Sequence, residues 1–340
     1  MINLVEIDSL EATIIIDNEL DALSTTQPNT VINNGRLPNI AMSSKALVEN
    51  RGACKKELRM EDICCGAHGF SVLLTAIKGD VKHTMMFDAG PEGQAWERNA
   101  TRLGLDLASI ERIQLSHWHR DHSGGMERAI EMITKAKSPG SESVIVDLHP
   151  DRPDYRGFMA GPNPVSMQAD PTFAEIEAAG GKVEKNAGAH TVLDDMFLVS
   201  GMIPRATAYE KGVLNGIRFE TEKRAWVKDE EIADERFLMC NLKGKGIVVF
   251  TGCSHGGVVN ASRNAIELLG GSVHLHAVIG GYHLVADQEA NVQNTVRDLK
   301  ALKPNVLLPG HCSGWRVKFE IEKEMPGKLV PCTVGSRYTF

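Results

Sequence analysis

Apolar and polar residues alternate in blocks along the chain. An apolar run at 11–17 reads as a first strand. Runs at 72–77 and 84–87 flank Lys78-Gly79-Asp80, which predicts a hairpin. Residues 94–103 read as a helix, and 112–115 as a strand ending at Ser116. Met126, Ala129, Ile130 and Ile133 follow the i, i+3, i+4, i+7 spacing of a helix that buries one face. A strand at 143–147 precedes the proline-bearing stretch 150–171, read as a loop, and a short helix at 173–179 stopped by Gly180-Gly181. The second half repeats the rhythm. Strands are predicted at 196–199, 236–240, 247–250, 273–279 and 306–308. A helix at 258–269 ends at Gly270-Gly271. Another carries Val292, Val296, Leu299 and Leu302 on one face and stops at Pro304. Alternating strands and helices, with hairpins mixed in, predict α/β architecture with mixed sheets. No break in composition divides the chain, so 1–340 reads as a single domain. A Ser-, Thr-, Asn- and Pro-rich segment at about 22–60 lacks periodicity and reads as a long irregular insertion, a lid or an oligomer contact.

Composition narrows the function classes. The 340 residues suffice for a full core, and 42% hydrophobic with 24% charged residues excludes disordered, collagen-like and coiled-coil proteins. A net charge of −7 and an aromatic content of 5% argue against nucleic acid or an anionic membrane as partner. The seven cysteines are odd in number and irregularly spaced. No secretory pattern and no long apolar span accompany them, so free thiols in a cytoplasmic setting are expected.

The chemistry concentrates in Ser116-His117-Trp118-His119-Arg120-Asp121-His122, between an apolar strand and a helix. With 12 histidines in 340 residues, three within six positions plus an aspartate fit chance poorly. Imidazole and carboxylate are the donors that suit Zn, Fe or Mn. One loop cannot complete two metal sites, so other strand ends should contribute. Cys253 and His255 follow one apolar run, His283 the next, and His311 and Cys312 a third, while Asp88 follows 84–87. Ligand chemistry at several strand ends is where open α/β sheets place their sites. His274 and His276 alternate within a strand and read as one packed or solvated face; His83, His149 and His190 are isolated.

At these residues the chain resembles metallo-β-lactamase-fold proteins. His117-x-His119-x-Asp121-His122 matches that superfamily's HxHxDH motif, and Phe87-Asp88-Ala89-Gly90 its early aspartate motif. Further stretches are similar to one branch, the 7,8-dihydropterin-6-methyl-4-(β-D-ribofuranosyl)aminobenzene-5′-phosphate synthase-like proteins. They are 15–18, His68-Gly69-Phe70-Ser71, 200–205, Thr251-Gly252-Cys253-Ser254-His255, Gly280-Gly281-Tyr282-His283 and 309–314. The resemblance implies a four-layer αβ/βα sandwich, two mixed sheets with helices outside, and two divalent metal ions at one sheet edge, zinc first, manganese or iron as alternatives. It implies metal ligands His117, His119, Asp121, His122 and His311. The strand that ends in a bridging aspartate in the superfamily ends here in Cys253-Ser254-His255, and the usual third histidine is missing near 201. Either Cys253 replaces the bridging group or His255 supplies the missing ligand, with His255 favoured.

The implied activity is a metal-dependent hydrolase, with metal-bound hydroxide attacking a phosphoester, lactone or related ester. Asp121 would orient the nucleophile. Asp88 would fix a ligand histidine's tautomer, and His283 and His68 would protonate the leaving group or touch substrate. Arg205 would read a phosphate or carboxylate, or make a surface ion pair. The expected partner is a small molecule, phosphorylated or pterin-like, and a homo-oligomer is one reading of the insertion. The alternatives are a synthase-type condensing enzyme, a non-catalytic metal-dependent sensor, and a di-iron redox protein.

Overall fold

The computed structural model describes residues 2–340. Two large mixed sheets face each other. One runs in the order His190–Val192, Phe197–Val199, Leu238–Leu242, Gly246–Thr251, Leu275–Gly281, Val306–Gly310, with Glu6–Ile7 beside Leu238–Leu242. The other runs Lys182–Lys185, Ile145–Leu148, Ile110–Gln114, Val81–Phe87, Ser71–Lys78, Ser9–Ile16, Arg337–Thr339, Ile32–Asn33. Strand alternation sends side chains to two different cores. Leu10, Ala12, Val72, Leu74, Val248, Phe250 and Ile279 meet between the sheets. Ile247, Val249 and Val278 point outward, under the helices Val258–Leu268, Val292–Ala301 and Trp315–Glu324. On the far side, Ile113 and Val146 lie under Gly93–Leu103 and Met126–Ala136. That is the four-layer sandwich expected, and it explains the continuous apolar runs: strands buried on both faces do not alternate. Met126, Ala129, Ile130 and Ile133 are the buried face of their helix, as the periodicity predicts.

Two expectations need correction. The stretch 150–171 is not simply a loop. Tyr155–Ala160 and Asn163–Ser166 form a hairpin and join Gly216–Glu220 and Ala225–Lys228 in a third, four-stranded antiparallel sheet. Pro164 lies in the outer strand, where its missing N–H costs least. The segment 22–60 is not without structure either. It contributes Ile32–Asn33 to a sheet edge, paired with Arg337–Thr339, and a helix at Leu37–Ser43. Among the described residues, no helix is long and apolar enough to cross a membrane.

Candidate metal centre

The strands Ser9–Ile16, Val81–Phe87 and Ile110–Gln114 run parallel in one sheet, and Gly246–Thr251, Leu275–Gly281 and Val306–Gly310 in the other. Their C-terminal ends deliver Asn18, Asp88, 117–122, Cys253 and His255, His283, and His311 and Cys312. The chain must leave each strand sharply to turn these side chains inward. Asp88, Ser254, His283 and His311 accordingly hold positive φ of 58°, 64°, 46° and 47°. Non-glycine residues in that region store strain, and they concentrate at functional sites.

The donors converge in two groups. In the first, His119 Nδ1 lies 2.9 Å from His117 Nε2 and 3.1 Å from His255 Nε2. In the second, Asp121 Oδ2 lies 3.2 Å from His311 Nε2 and 3.6 Å from His122 Nε2. The Cys253 sulfur is 3.1 Å from His122 Nε2 and 3.3 Å from His311 Nε2. It also stands within 4.8 Å of donor atoms of His117 and His255. Its position is therefore between the groups. The structure brings both Cys253 and His255 in, where the sequence favoured His255 as a ligand and put Cys253 second.

Hydrogen bonds on the outer ring nitrogens set the tautomers. Asp88 Oδ2 accepts from His122 Nδ1 at 2.6 Å and from the Ser116 hydroxyl at 2.8 Å, and Oδ1 accepts from the Ser116 amide. With its proton given to Asp88, Ser116 Oγ must accept from His117 Nδ1, at 2.9 Å. Asn18 Oδ1 accepts from the Gly69 amide and from His311 Nδ1 at 3.0 Å. His117, His122 and His311 thus each carry their proton on Nδ1 and aim an Nε2 lone pair inward. Lone pairs and a carboxylate at such separations repel unless a cation or a proton lies among them. The donor set fits divalent ions on that ground.

Comparisons agree with this fold. The crystal structure of Tm1679, a metal-dependent hydrolase of the β-lactamase superfamily, matches with a TM-score of 0.65 at 19% identity, covering 96% of this chain and 98% of that one. The chain has the metallo-β-lactamase fold. In sequence it is 24% identical over 280 residues to a 7,8-dihydropterin-6-methyl-4-(β-D-ribofuranosyl)-aminobenzene-5′-phosphate synthase of Methanocaldococcus jannaschii, spanning 77% of this chain and 89% of the relative. It is 28% identical over 257 residues to the uncharacterized protein MJ0448 of the same organism, spanning 75% and 88%. No protein-family profile matches the chain.

On this metallo-β-lactamase scaffold His119, Asp121, Cys253 and His255 of the metal-ligand candidates line a cavity of about 740 Å³. The third sheet roofs it through Arg156, Phe158 and Ile217, and Met167, Val213, Ile232 and Val285 make most of the remaining wall apolar. The segment 22–60 contributes no lining residue, so it is not the cap the sequence suggested. Burial and neighbouring imidazoles hold the His117 and His255 pKa values well below the ordinary 6.5. Burial, with Arg156 nearby, takes His119 down to about 3. In His122 burial opposes the charged form, but Asp121 and Asp88 outweigh it and raise the pKa. Burial also works against a charged Asp121, yet His122 and His311 hold its carboxyl far below the usual range.

His68 stands exposed at the cavity rim, its Nε2 3.6 Å from Asp121 Oδ2 and its Nδ1 accepting from Asn18. His283 lines the cavity wall. Arg205 is not brought in. Its guanidinium donates to the Glu231 carbonyl and it lines no part of the cavity. His83 and His190 pair with carboxylates elsewhere, and His276 with Asn305.

Three supports had no role in the sequence reading, which quoted Asp17 and Asn18 only within a stretch similar to one branch and did not mark Glu235 at all. Asp17 accepts the His311 amide at 3.1 Å, Asn18 orients the His311 ring, and Glu235 accepts the His255 and Gly256 amides. Asp17 and Asn18 follow an apolar strand, the signal that marked the other donors. Glu235 carries no such mark.

Proposed function

We propose that the chain is a metal-dependent hydrolase acting on a phosphoester, lactone or related ester. The observation that carries this reading is the convergence of seven donor side chains in two adjoining groups beside a large, mostly apolar cavity. Divalent ions held there, zinc, manganese or iron, supply Lewis acidity: they lower the pKa of water from about 15.7 toward about 7 and polarise the scissile group's oxygen.

The chain's own residues do the rest. Asp88, Ser116 and Asn18 keep the ligand rings from rotating, so the donors are arranged before substrate arrives. The ionised Asp121 carboxylate faces His122, His311 and His68 and orients the attacking water. His283 holds a proton for the leaving group. Burial opposes its charge, but Cys312 and Glu235 raise its pKa above the ordinary imidazole value. The apolar wall excludes bulk water and accepts an uncharged part of the substrate.

The synthase relative supports a second reading, condensation of a dihydropterin with a ribofuranosylaminobenzene phosphate. The same preparation decides between them. Protein loaded in turn with Zn²⁺, Mn²⁺ and Fe²⁺ is assayed on phosphodiester, phosphomonoester, lactone and aryl ester panels, and on the dihydropterin with the aminobenzene riboside phosphate. Metal-dependent turnover of one ester class is the expected outcome. Product only from the mixed substrates establishes the synthase instead. No turnover with any metal leaves a sensor.

A further inference from the structure

Cys312 belongs to neither donor group described above. Yet its sulfur, the Cys253 sulfur and a ring nitrogen of His283 lie within 4.8 Å of one another, and all three side chains line the cavity. We propose that Cys253, His283 and Cys312 form a third cation position, thiophilic in character, which shares the Cys253 sulfur with the two-group cluster and opens on the cavity.

Three observations support it. His283 Nδ1 is buried and has no hydrogen-bond partner, although its ring packs against His255 with centroids 4.4 Å apart. A buried imidazole nitrogen left unpaired in a native site calls for a ligand. Cys312 Sγ donates weakly to the Cys253 carbonyl at 3.5 Å and has the Cys253 sulfur and a His283 ring nitrogen beside it. Finally, a Cβ on Gly281 would stand 2.7 Å from Cys312 Sγ. Glycine at that strand end is what gives the sulfur its place.

Two sulfurs and one imidazole select Zn²⁺, Cd²⁺ or Cu⁺ over Mg²⁺ or Mn²⁺. The Asp121-His122-His311 group, with its carboxylate, tolerates harder ions. Three protein donors leave a fourth direction toward the cavity. On binding, the thiol protons leave to solvent as the cation takes their place. An ion on His283 and a proton held there for a leaving group exclude one another, so occupancy inhibits the hydrolysis proposed above. That consequence rests on the hydrolase reading; the site itself does not.

The test titrates Cd²⁺ into the metal-stripped full chain, following bound metal by equilibrium dialysis and the thiolate-to-Cd²⁺ ultraviolet band. The parent is expected to bind a third equivalent. Cys312→Ser loses that equivalent and about half of the thiolate band, since one of the two donor sulfurs is gone. His283→Gln loses the same equivalent and keeps the other two. A parent that saturates at two, or a Cys312→Ser protein that still binds the third, overturns the proposal. Should Cys312→Ser lose its fold by circular dichroism, the parent stoichiometry and His283→Gln decide. His119→Ala separates the two readings. If it keeps every equivalent while Cys312→Ser loses one, the two-group cluster fails and this site stands.

Discussion

Replacing His119 by alanine is expected to abolish turnover and cut bound metal to half or less, while the fold persists. His119 Nδ1 is the atom between His117 Nε2 and His255 Nε2, so its removal opens the first group completely. The second group keeps Asp121, His122, His311 and Cys253 and retains its ion. Loss of a partner that merely orients a ligand costs roughly 10–100-fold, and loss of the ligand itself exceeds that. The fold survives because its three apolar cores, one between the sheets and one under the helices on each side, include none of the site's imidazoles. Activity assay, elemental analysis and circular dichroism on one preparation check all three points. Full metal content in the variant contradicts the assignment.

The same variant carries a large pH signature once metal is stripped. In the folded parent, burial and then Arg156 depress the His119 pKa to about 3. In the unfolded chain the ring titrates near about 6.5. Between those values the unfolded state binds a proton that the folded site refuses, so His119 destabilises the parent progressively as pH falls. Below the folded pKa the effect levels off. The parent's profile alone is ambiguous. Burial pushes the carboxyls of Asp17 and Asp170 up to about 6, and they titrate in the same window with the opposite sign. The difference between stripped parent and stripped His119→Ala removes them. From about pH 6.5 down toward about 4, the variant should gain stability on the parent as pH falls, read from urea midpoints. A pH-independent difference means that His119 is solvated, not buried among other imidazoles.

Much of this was legible in the sequence, for physical reasons. Strands covered on both faces write continuous apolar runs, and the polar residues that stop them mark the sheet edge. Val248, Val249 and Phe250 followed by Cys253 and His255 is one example, and Leu307 and Leu308 followed by His311 another. The four-residue helical spacing of 126–133 was equally plain. The third sheet was not, because Asn163–Ser166 is exposed along its length and carries a proline, so it lacks the apolar alternation that announces a strand. The roof of the cavity was therefore invisible, as was its apolar lining. Asn18 could not be paired with His311 across 293 residues by any local pattern. Nor could Arg205, next to a motif that resembled a substrate contact, be seen to spend its guanidinium on a neighbouring carbonyl.

The central claim is that side chains from both sheets cage cations at one edge. It is tested most directly by anomalous diffraction at the zinc, manganese and iron edges from crystals of the purified chain. Anomalous peaks are expected inside the His117–His119–His255 and Asp121–His122–Cys253–His311 groups. Ordered water alone at those positions, after crystallisation with each metal, contradicts the claim.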